Sequence, residues 1–254
     1  MKRLLSLILI LSLPLAINAH AEAADQGALV AGFLKDLKGD NSAYVETHKI
    51  EFFAGLSKGQ TPKATIVTCS DSRVQANMFD HAPEGDLFTV RDIGNQLSTA
   101  EGSVEYGVHH LHTPILMFIG HSRCGAIAAA SSNYSKESAA IKKELDTIVI
   151  PKEIENLDGV KTNVNNQVTA SLFKFAEEVD AGHLTVIGAV MDFADDMHKG
   201  AGKLHIINVN GETDPAKLED VGALIAKQKP KAAAPASKKG ATAGKAAASE
   251  PEHH

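Results

Sequence analysis

Five short apolar runs, rich in β-branched residues and separated by longer stretches of helical periodicity, constrain this 254-residue chain more than any other feature. They fall at 64–69 (ATIVTC), 87–90, 115–119 (ILMFI), 184–190 (LTVIGAV) and 204–209 (LHIINV). ILMFI and LTVIGAV are apolar throughout rather than alternating, which is the pattern of strands covered on both faces in a parallel sheet. Helical periodicity appears at 26–38, 100–112, about 124–131 and 163–181; in the last, Val164, Val168, Leu172, Phe175 and Val179 share one stripe. Alternating elements of this kind predict an α/β domain with a mainly parallel sheet. No internal repeat is visible.

The ends read differently. The first residues, MKRLLSLILILSLPLAINAHAEAADQ, are basic, then apolar from Leu4 to Ile17, then small and polar, with Ala19-His20-Ala21 fitting a small-x-small cleavage site. This predicts a secretory signal peptide over 1–21 and an exported, periplasmic or secreted, protein. The apolar run is too short for the roughly 20 residues of a spanning helix, so no stable membrane insertion is expected after cleavage. The segment 228–254 is Ala, Lys and Pro with almost nothing to bury and is expected to be a disordered tail, leaving 22–227 as the folded domain. Residues 22–226 carry 17 basic against 29 acidic side chains, a formal charge of −12. Such a domain is a poor fit to nucleic acid and points to a small molecule or another copy of itself.

Two cysteines cannot build a disulfide-rich scaffold or a four-cysteine zinc ribbon. Cys69 ends the first strand and is followed by Ser70-Asp71-Ser72-Arg73, while His121 and Cys124 lie in GHSRCGA after the third. In a parallel sheet both segments emerge at the same carboxyl edge, where open α/β folds place their sites. Two thiolates and one imidazole suit zinc and leave a fourth tetrahedral position open. Export makes a Cys69–Cys124 disulfide the competing reading, and spacing alone does not separate the two. The polar, glycine-adjacent turns around both cysteines favour the activated site.

The blocks GQTPKATIVTCSDSRV (59–74), GDLFTVRDIGN (85–95), GSVEYGVHHL (102–111) and GHSRCGAI (120–127) resemble, in order and spacing, the signature segments of β-class carbonic anhydrases, with weaker matches over 27–211. The resemblance implies that family's fold: about four parallel strands plus an antiparallel edge strand, flanked by helices. It implies Zn²⁺ on Cys69, His121 and Cys124, and an Asp71/Arg73 carboxylate–guanidinium dyad beside it. Gln60, Phe88, Ile93 and Tyr106 would surround the substrate pocket, partly across an interface of a homodimer or tetramer of dimers. The implied reaction is hydration of CO₂ to bicarbonate and a proton by a zinc-activated hydroxide; some relatives instead hydrolyse carbonyl sulfide or carbon disulfide. A non-catalytic, disulfide-stapled binding protein is the alternative from another class, and intact Asp71, Arg73 and His121 argue against it.

Zn²⁺ with two thiolates and a neutral imidazole has no formal charge left over, so it should acidify water less than a three-histidine site, where a pKa of about 7 is typical. Mildly alkaline conditions are then expected for full activity. Some family members carry a Trp three positions before the first zinc cysteine and a Tyr in a late GxxYD segment, associated with a switch in which the Asp moves onto zinc. Here Ile66 and Met191 stand at those positions, which predicts an open site. The family's RNxAN block reads Arg91-Asp92-Ile93-Gly94-Asn95. Gly102 and Gly107 are expected to serve close packing, and none of His81, His109, His110 and His112 is singled out as a proton shuttle.

Overall fold

The computed structural model describes residues 15–228, with side chains from Asp25 onward. All but Gln228 of the disordered tail predicted over 228–254, and the first 14 residues of the predicted signal peptide, lie outside the described residues. The chain divides into two units, 1–59 and 60–254. The first holds α1 (Leu15–Thr47) and α2 (Ile50–Leu56), so the helix expected at 26–38 lies within a longer one. Tyr44, His48, Phe52 and Phe53 stack where α1 turns into α2, with ring centroids 4.0 Å apart for Tyr44 and His48. Among the described residues no helix is long and apolar enough to cross a membrane.

The second unit is built on one five-stranded sheet in the order β2-β1-β3-β4-β5. Its strands are β1 (Ala64–Cys69), β2 (Leu87–Asp92), β3 (Ile115–His121), β4 (Thr185–Asp192) and β5 (Lys203–Val209). The first four run parallel and β5 returns antiparallel to β4 at the edge, as the resemblance implied. β1 is buried at every position, Thr65 and Thr68 included, and β4 at all but its first, Thr185. β2, an edge strand, alternates instead and places Arg91 outward.

Helices cover both faces. Val67, Val104, Leu116, Phe118, Val168, Phe175 and Val186 form one core, and Ala64, Ile66, Ile119, Ala189 and Met191 form another on the opposite side of the alternating strands. The predicted helix at 163–181 is two: α6 (Asn156–Lys174) and α7 (Ala176–Asp180), in a series that also holds α3 (Glu101–Glu105), α4 (Gly125–Ser131) and α5 (Ala139–Leu145). The break falls at Phe175, whose non-helical backbone (φ −111°, ψ 35°) seats its ring fully inside the core. Two short helices, α8 (Pro215–Leu218) and α9 (Val221–Lys227), follow β5.

The helix expected at 100–112 is shorter as well. After α3 the chain widens at Tyr106–His110 into a turn in which Leu111 N–H donates to the Tyr106 carbonyl at 2.9 Å, five residues back. Gly107 explains the close approach: a Cβ there would stand 2.0 Å from Thr65 Oγ1 on β1. Gly102 has open space around it within the single chain, so it is Gly107 whose close packing is visible there.

Candidate metal centre

β1 and β3 are adjacent and parallel, so their carboxyl ends deliver Cys69 and His121 to one place. His121 is the last residue of β3 rather than part of the turn after it, because the strand runs two residues beyond its apolar core. A left-handed turn at Arg123 (φ 57°) then swings Cys124 back to cap α4. One ligand atom from each of Cys69, His121 and Cys124 lies within 4.8 Å of the other two, and all three residues are buried. Both cysteines are free thiols.

The histidine is already set for a metal. Its Nδ1 lies 3.1 Å from the Ser122 carbonyl, which can only accept, so Nδ1 carries the proton and Nε2 presents its lone pair. Nε2 is buried and has no hydrogen-bond partner. An orphaned acceptor of this kind costs about 1–3 kcal/mol unless something fills the space. A borderline-soft divalent cation fits a lone pair aimed between two sulfurs, and the donor set favours zinc over magnesium or calcium.

The sulfurs differ. Hydrogen bonding from Cys124 pulls Cys69 well below the usual thiol range against the opposing effect of burial; the His121 ring and the backbone N–H groups of Gly94 and Asp71 assist. Cys124 is correspondingly raised, first by its bond to Cys69 and then by burial. Hydrogen bonding between the two sulfurs therefore favours one ionised thiol in the pair, and a cation would favour ionisation of the second. Asn156 fixes the Cys124 backbone from both sides: Oδ1 accepts from Cys124 N–H at 3.1 Å and Nδ2 donates to its carbonyl at 3.0 Å.

Asp71 reaches the edge of this triad, with Oδ2 3.8 Å from His121 Nε2. Arg73 holds both its oxygens, donating from Nε to Oδ1 at 2.9 Å and from Nη2 to Oδ2 at 2.7 Å, while the Arg73 backbone N–H adds a third bond to Oδ1 at 3.0 Å. These bonds keep the Asp71 carboxyl far below the ordinary carboxylate range. Arg73 also donates to the Arg123 carbonyl at 3.3 Å, tying the loop after β1 to the loop after β3, and lies over the Phe193 ring at 5.3 Å. The Arg73 side chain is half exposed, so the dyad faces solvent while the triad does not.

Gln60, Phe88, Ile93 and Tyr106 are not tied to the triad by any hydrogen bond, ion pair or ring contact among the described residues. The Phe88 and Tyr106 rings lie tilted against each other with centroids 5.8 Å apart, and Tyr106 stacks on His110 at 4.4 Å; Gln60, Ile93 and Tyr106 are exposed. His109, His110 and His112 precede β3 and so lie at the amino end of the strand that carries His121 at its carboxyl end. Six residue steps of about 3.3 Å put them about 20 Å from the triad, too far for direct proton transfer within one chain. His109 pairs instead with Glu178 at 3.0 Å.

Three residues at the centre were not singled out from the sequence. Arg91 braces the loop after β1, donating from Nη2 to the Asp71 carbonyl at 2.7 Å and from Nε to the Cys69 carbonyl at 3.2 Å. It stands in a quoted block, and strand register puts it opposite Thr68, one residue before Cys69. Phe193 closes the far wall, 5.6 Å from the His121 ring. Asn156 lies 32 residues beyond Cys124, at the first residue of α6, in a stretch without any motif.

The comparisons with known proteins agree with this geometry. The model of the carbonic anhydrase family matches residues 64–199. Carbonic anhydrase 2 of Mycobacterium tuberculosis is 39% identical over 103 residues, 38% of this chain and 50% of that protein. The chain thus spans half the length of that curated relative; it spans 88% of the carbonic anhydrase of Mycolicibacterium smegmatis, 28% identical over 181 residues, or 63% of this chain. A tetrameric β-carbonic anhydrase from the ascomycete Sordaria macrospora superposes with a TM-score of 0.59 at 24% identity, over 70% of this chain and 98% of that one. The Coccomyxa β-carbonic anhydrase gives 0.55 at 19% identity, over 78% and 96%. With more than half its length matched by the family and its sheet superposing on the β-class fold, the chain belongs to the carbonic anhydrase family.

Proposed function

We propose that this chain is a zinc enzyme that reversibly hydrates CO₂ to bicarbonate and a proton. One observation carries the reading: an unpartnered, lone-pair-bearing His121 Nε2 buried between two thiols, with an ionised Asp71 3.8 Å away. Cys69, His121 and Cys124 would hold the Zn²⁺. When bound there it is a Lewis acid that supplies a hydroxide nucleophile at neutral to mildly alkaline pH.

The protein's own groups supply the rest. Asp71, kept ionised by Arg73, accepts a hydrogen bond from the nucleophile's O–H, which fixes its remaining lone pairs toward CO₂. Because both Asp71 oxygens are engaged by Arg73, the carboxylate is held off the ligand set, which supports the open site expected from Ile66 and Met191. Phe193 excludes water from one wall, and the half-exposed Arg73 marks the side through which the product proton leaves to solvent. Stopped-flow hydration of CO₂ tests this, with carbonyl sulfide as the second substrate. The expected result is rapid CO₂ turnover that rises with pH and slow or absent sulfide release. Turnover of carbonyl sulfide alone would replace the reading.

Export and assembly are part of the same proposal. The basic-apolar-small pattern of residues 1–21 supports a cleaved signal and a periplasmic or secreted enzyme. Exposed Ile93 and Tyr106, set apart from the triad within one chain, support a homodimer or tetramer of dimers that completes the pocket from a second copy. Native mass spectrometry of protein purified from the producing cell reads both: two or four chains, each beginning near Glu22. A monomer that retains Met1 would contradict both.

A further inference from the structure

A buried polar cluster of α6 bears on the metal centre without touching a metal ligand. Gln96 and Asn163 are 1% exposed and Gln167 is 7% exposed, and their three carboxamides interlock. Gln96 Nε2 donates to Asn163 Oδ1 at 2.8 Å, and Gln167 Nε2 donates to Gln96 Oε1 at 3.0 Å and to Asn163 Oδ1 at 3.2 Å. Gln167 Oε1 accepts from the Leu97 backbone N–H at 2.9 Å. Asn163 and Gln167 stand four residues apart and so share one face of α6. Every carboxamide oxygen is occupied, so none of the three side chains can flip without leaving buried groups unpaired.

This network has one output. The Gly94 carbonyl accepts from Gln96 Nε2 at 2.6 Å and from Asn163 Nδ2 at 2.9 Å, two buried donors on one backbone oxygen. Gly94 sits in a left-handed conformation (φ +81°), and a Cβ there would stand 2.7 Å from Ile148 Cδ1, so the turn depends on glycine and on being held. Asp92 closes it from the other side, with Oδ1 accepting from Gln96 N–H at 2.7 Å and Oδ2 from Thr99 Oγ1 at 2.7 Å. Strand register puts Asp92 directly opposite Cys69, and Ser70 N–H donates to the Asp92 carbonyl at 2.7 Å. The turn therefore follows directly on the residue paired with the first metal ligand and lies against the carboxyl end of β1.

We propose that Gln96, Asn163 and Gln167 are positioning residues of the metal centre: the carboxamide clamp holds the Gly94 turn, and with it Asp92, against the carboxyl end of β1, and so fixes where Cys69 presents its sulfur. A ligand whose backbone is held from outside is set in direction before the metal arrives, so the clamp sets how tightly the metal is held and how squarely the sulfur meets it. This rests on Cys69 being a metal ligand, and the experiment separates the two.

The variants are Asn163→Leu, which removes one Gly94 donor at nearly constant volume, and Gln167→Met, which perturbs the clamp without touching Gly94. Val168→Ala, a fully buried α6 position outside the clamp, controls for loss of stability. Each protein is loaded with Co²⁺ for its sulfur-to-cobalt charge-transfer band and titrated for Zn²⁺ affinity against a chelator. In Asn163→Leu, zinc affinity is expected to fall about tenfold, with the band moving from its wild-type position as the Cys69 sulfur leaves its set direction. Gln167→Met should shift both in the same direction and serves alone if Asn163→Leu does not fold. Val168→Ala should lower Tm and leave both readouts at wild type. If the clamp variants lose Tm but keep wild-type affinity and band position, the carboxamides only pack the core and the proposal is overturned. If the wild-type protein shows no thiolate-to-cobalt band at all, the ligand assignment fails and the clamp's role falls with it.

Discussion

Replacing Cys69 by Ser is expected to remove the metal and with it CO₂ hydration, by well over 100-fold, while the sheet stays folded. A hydroxyl does not ionise at neutral pH as a thiol does beside a cation, and oxygen is the harder donor. Loss of an outer partner of a metal site already costs about 10–100-fold, so loss of a ligand should exceed that. The fold should survive because β1 is held on both sides by parallel neighbours and its core side chains, Ile66 and Val67, are untouched. Elemental analysis after gel filtration, circular dichroism and stopped-flow rates check the three parts. A variant that keeps one zinc and wild-type turnover would remove Cys69 from the site.

Asp71→Asn should separate chemistry from metal binding: one zinc retained, and turnover lowered about 10²- to 10⁴-fold, the range for a lost proton-handling group. The substitution is isosteric but leaves an amide nitrogen facing the Arg73 guanidinium, where a carboxylate oxygen now accepts at 2.7 Å. The pH profile adds a sign. Arg73 holds Asp71 ionised far below the usual carboxylate range, so protonation of Asp71 cannot produce a fall in wild-type activity between pH 9 and 6. That fall should belong to the nucleophile, and the Asn variant should lose activity by the same factor at every pH in that interval. A deficit confined to low pH would show that Asp71 acts by titrating. Crystals of the zinc-loaded wild type at pH 7.5 should show Asp71 on Arg73; Asp71 bound to zinc would contradict the open site.

Most of the architecture is legible because burial writes itself into composition. ILMFI has no polar residue to turn outward and LTVIGAV has only Thr185, at its start, so β3 and β4 read as interior parallel strands, and the site followed from where their carboxyl ends must lie. Element limits were less legible. Gly120 and His121 extend β3 past its apolar run because backbone pairing with Val190 and Met191 continues after the side chains turn polar. The helix expected through 100–112 widened at Gly107, where contact with Thr65 on another strand decides the local geometry.

The triad and dyad were readable from four ordered motifs, since their residues lie close in sequence to strand ends. Arg91, Asn156 and the Gln96–Asn163–Gln167 clamp were not. Each acts through backbone atoms of a residue 20 to 70 positions away, and a hydrogen bond to a distant carbonyl leaves no periodicity or spacing to detect. Asp92 shows the same limit. Burial raises its carboxyl to about 6, although the side chains of its sequence neighbours give no sign of an apolar setting.

The central claim is that both cysteines of this chain serve one zinc ion. It is tested most directly by counting zinc and thiols together on purified mature protein. The account predicts one zinc per chain, two thiols that resist modification in the folded protein, and both becoming reactive when a chelator strips the metal. No zinc, together with no reactive thiol even after denaturation without reductant, would mean that Cys69 and Cys124 are joined to each other and that the metal centre does not exist.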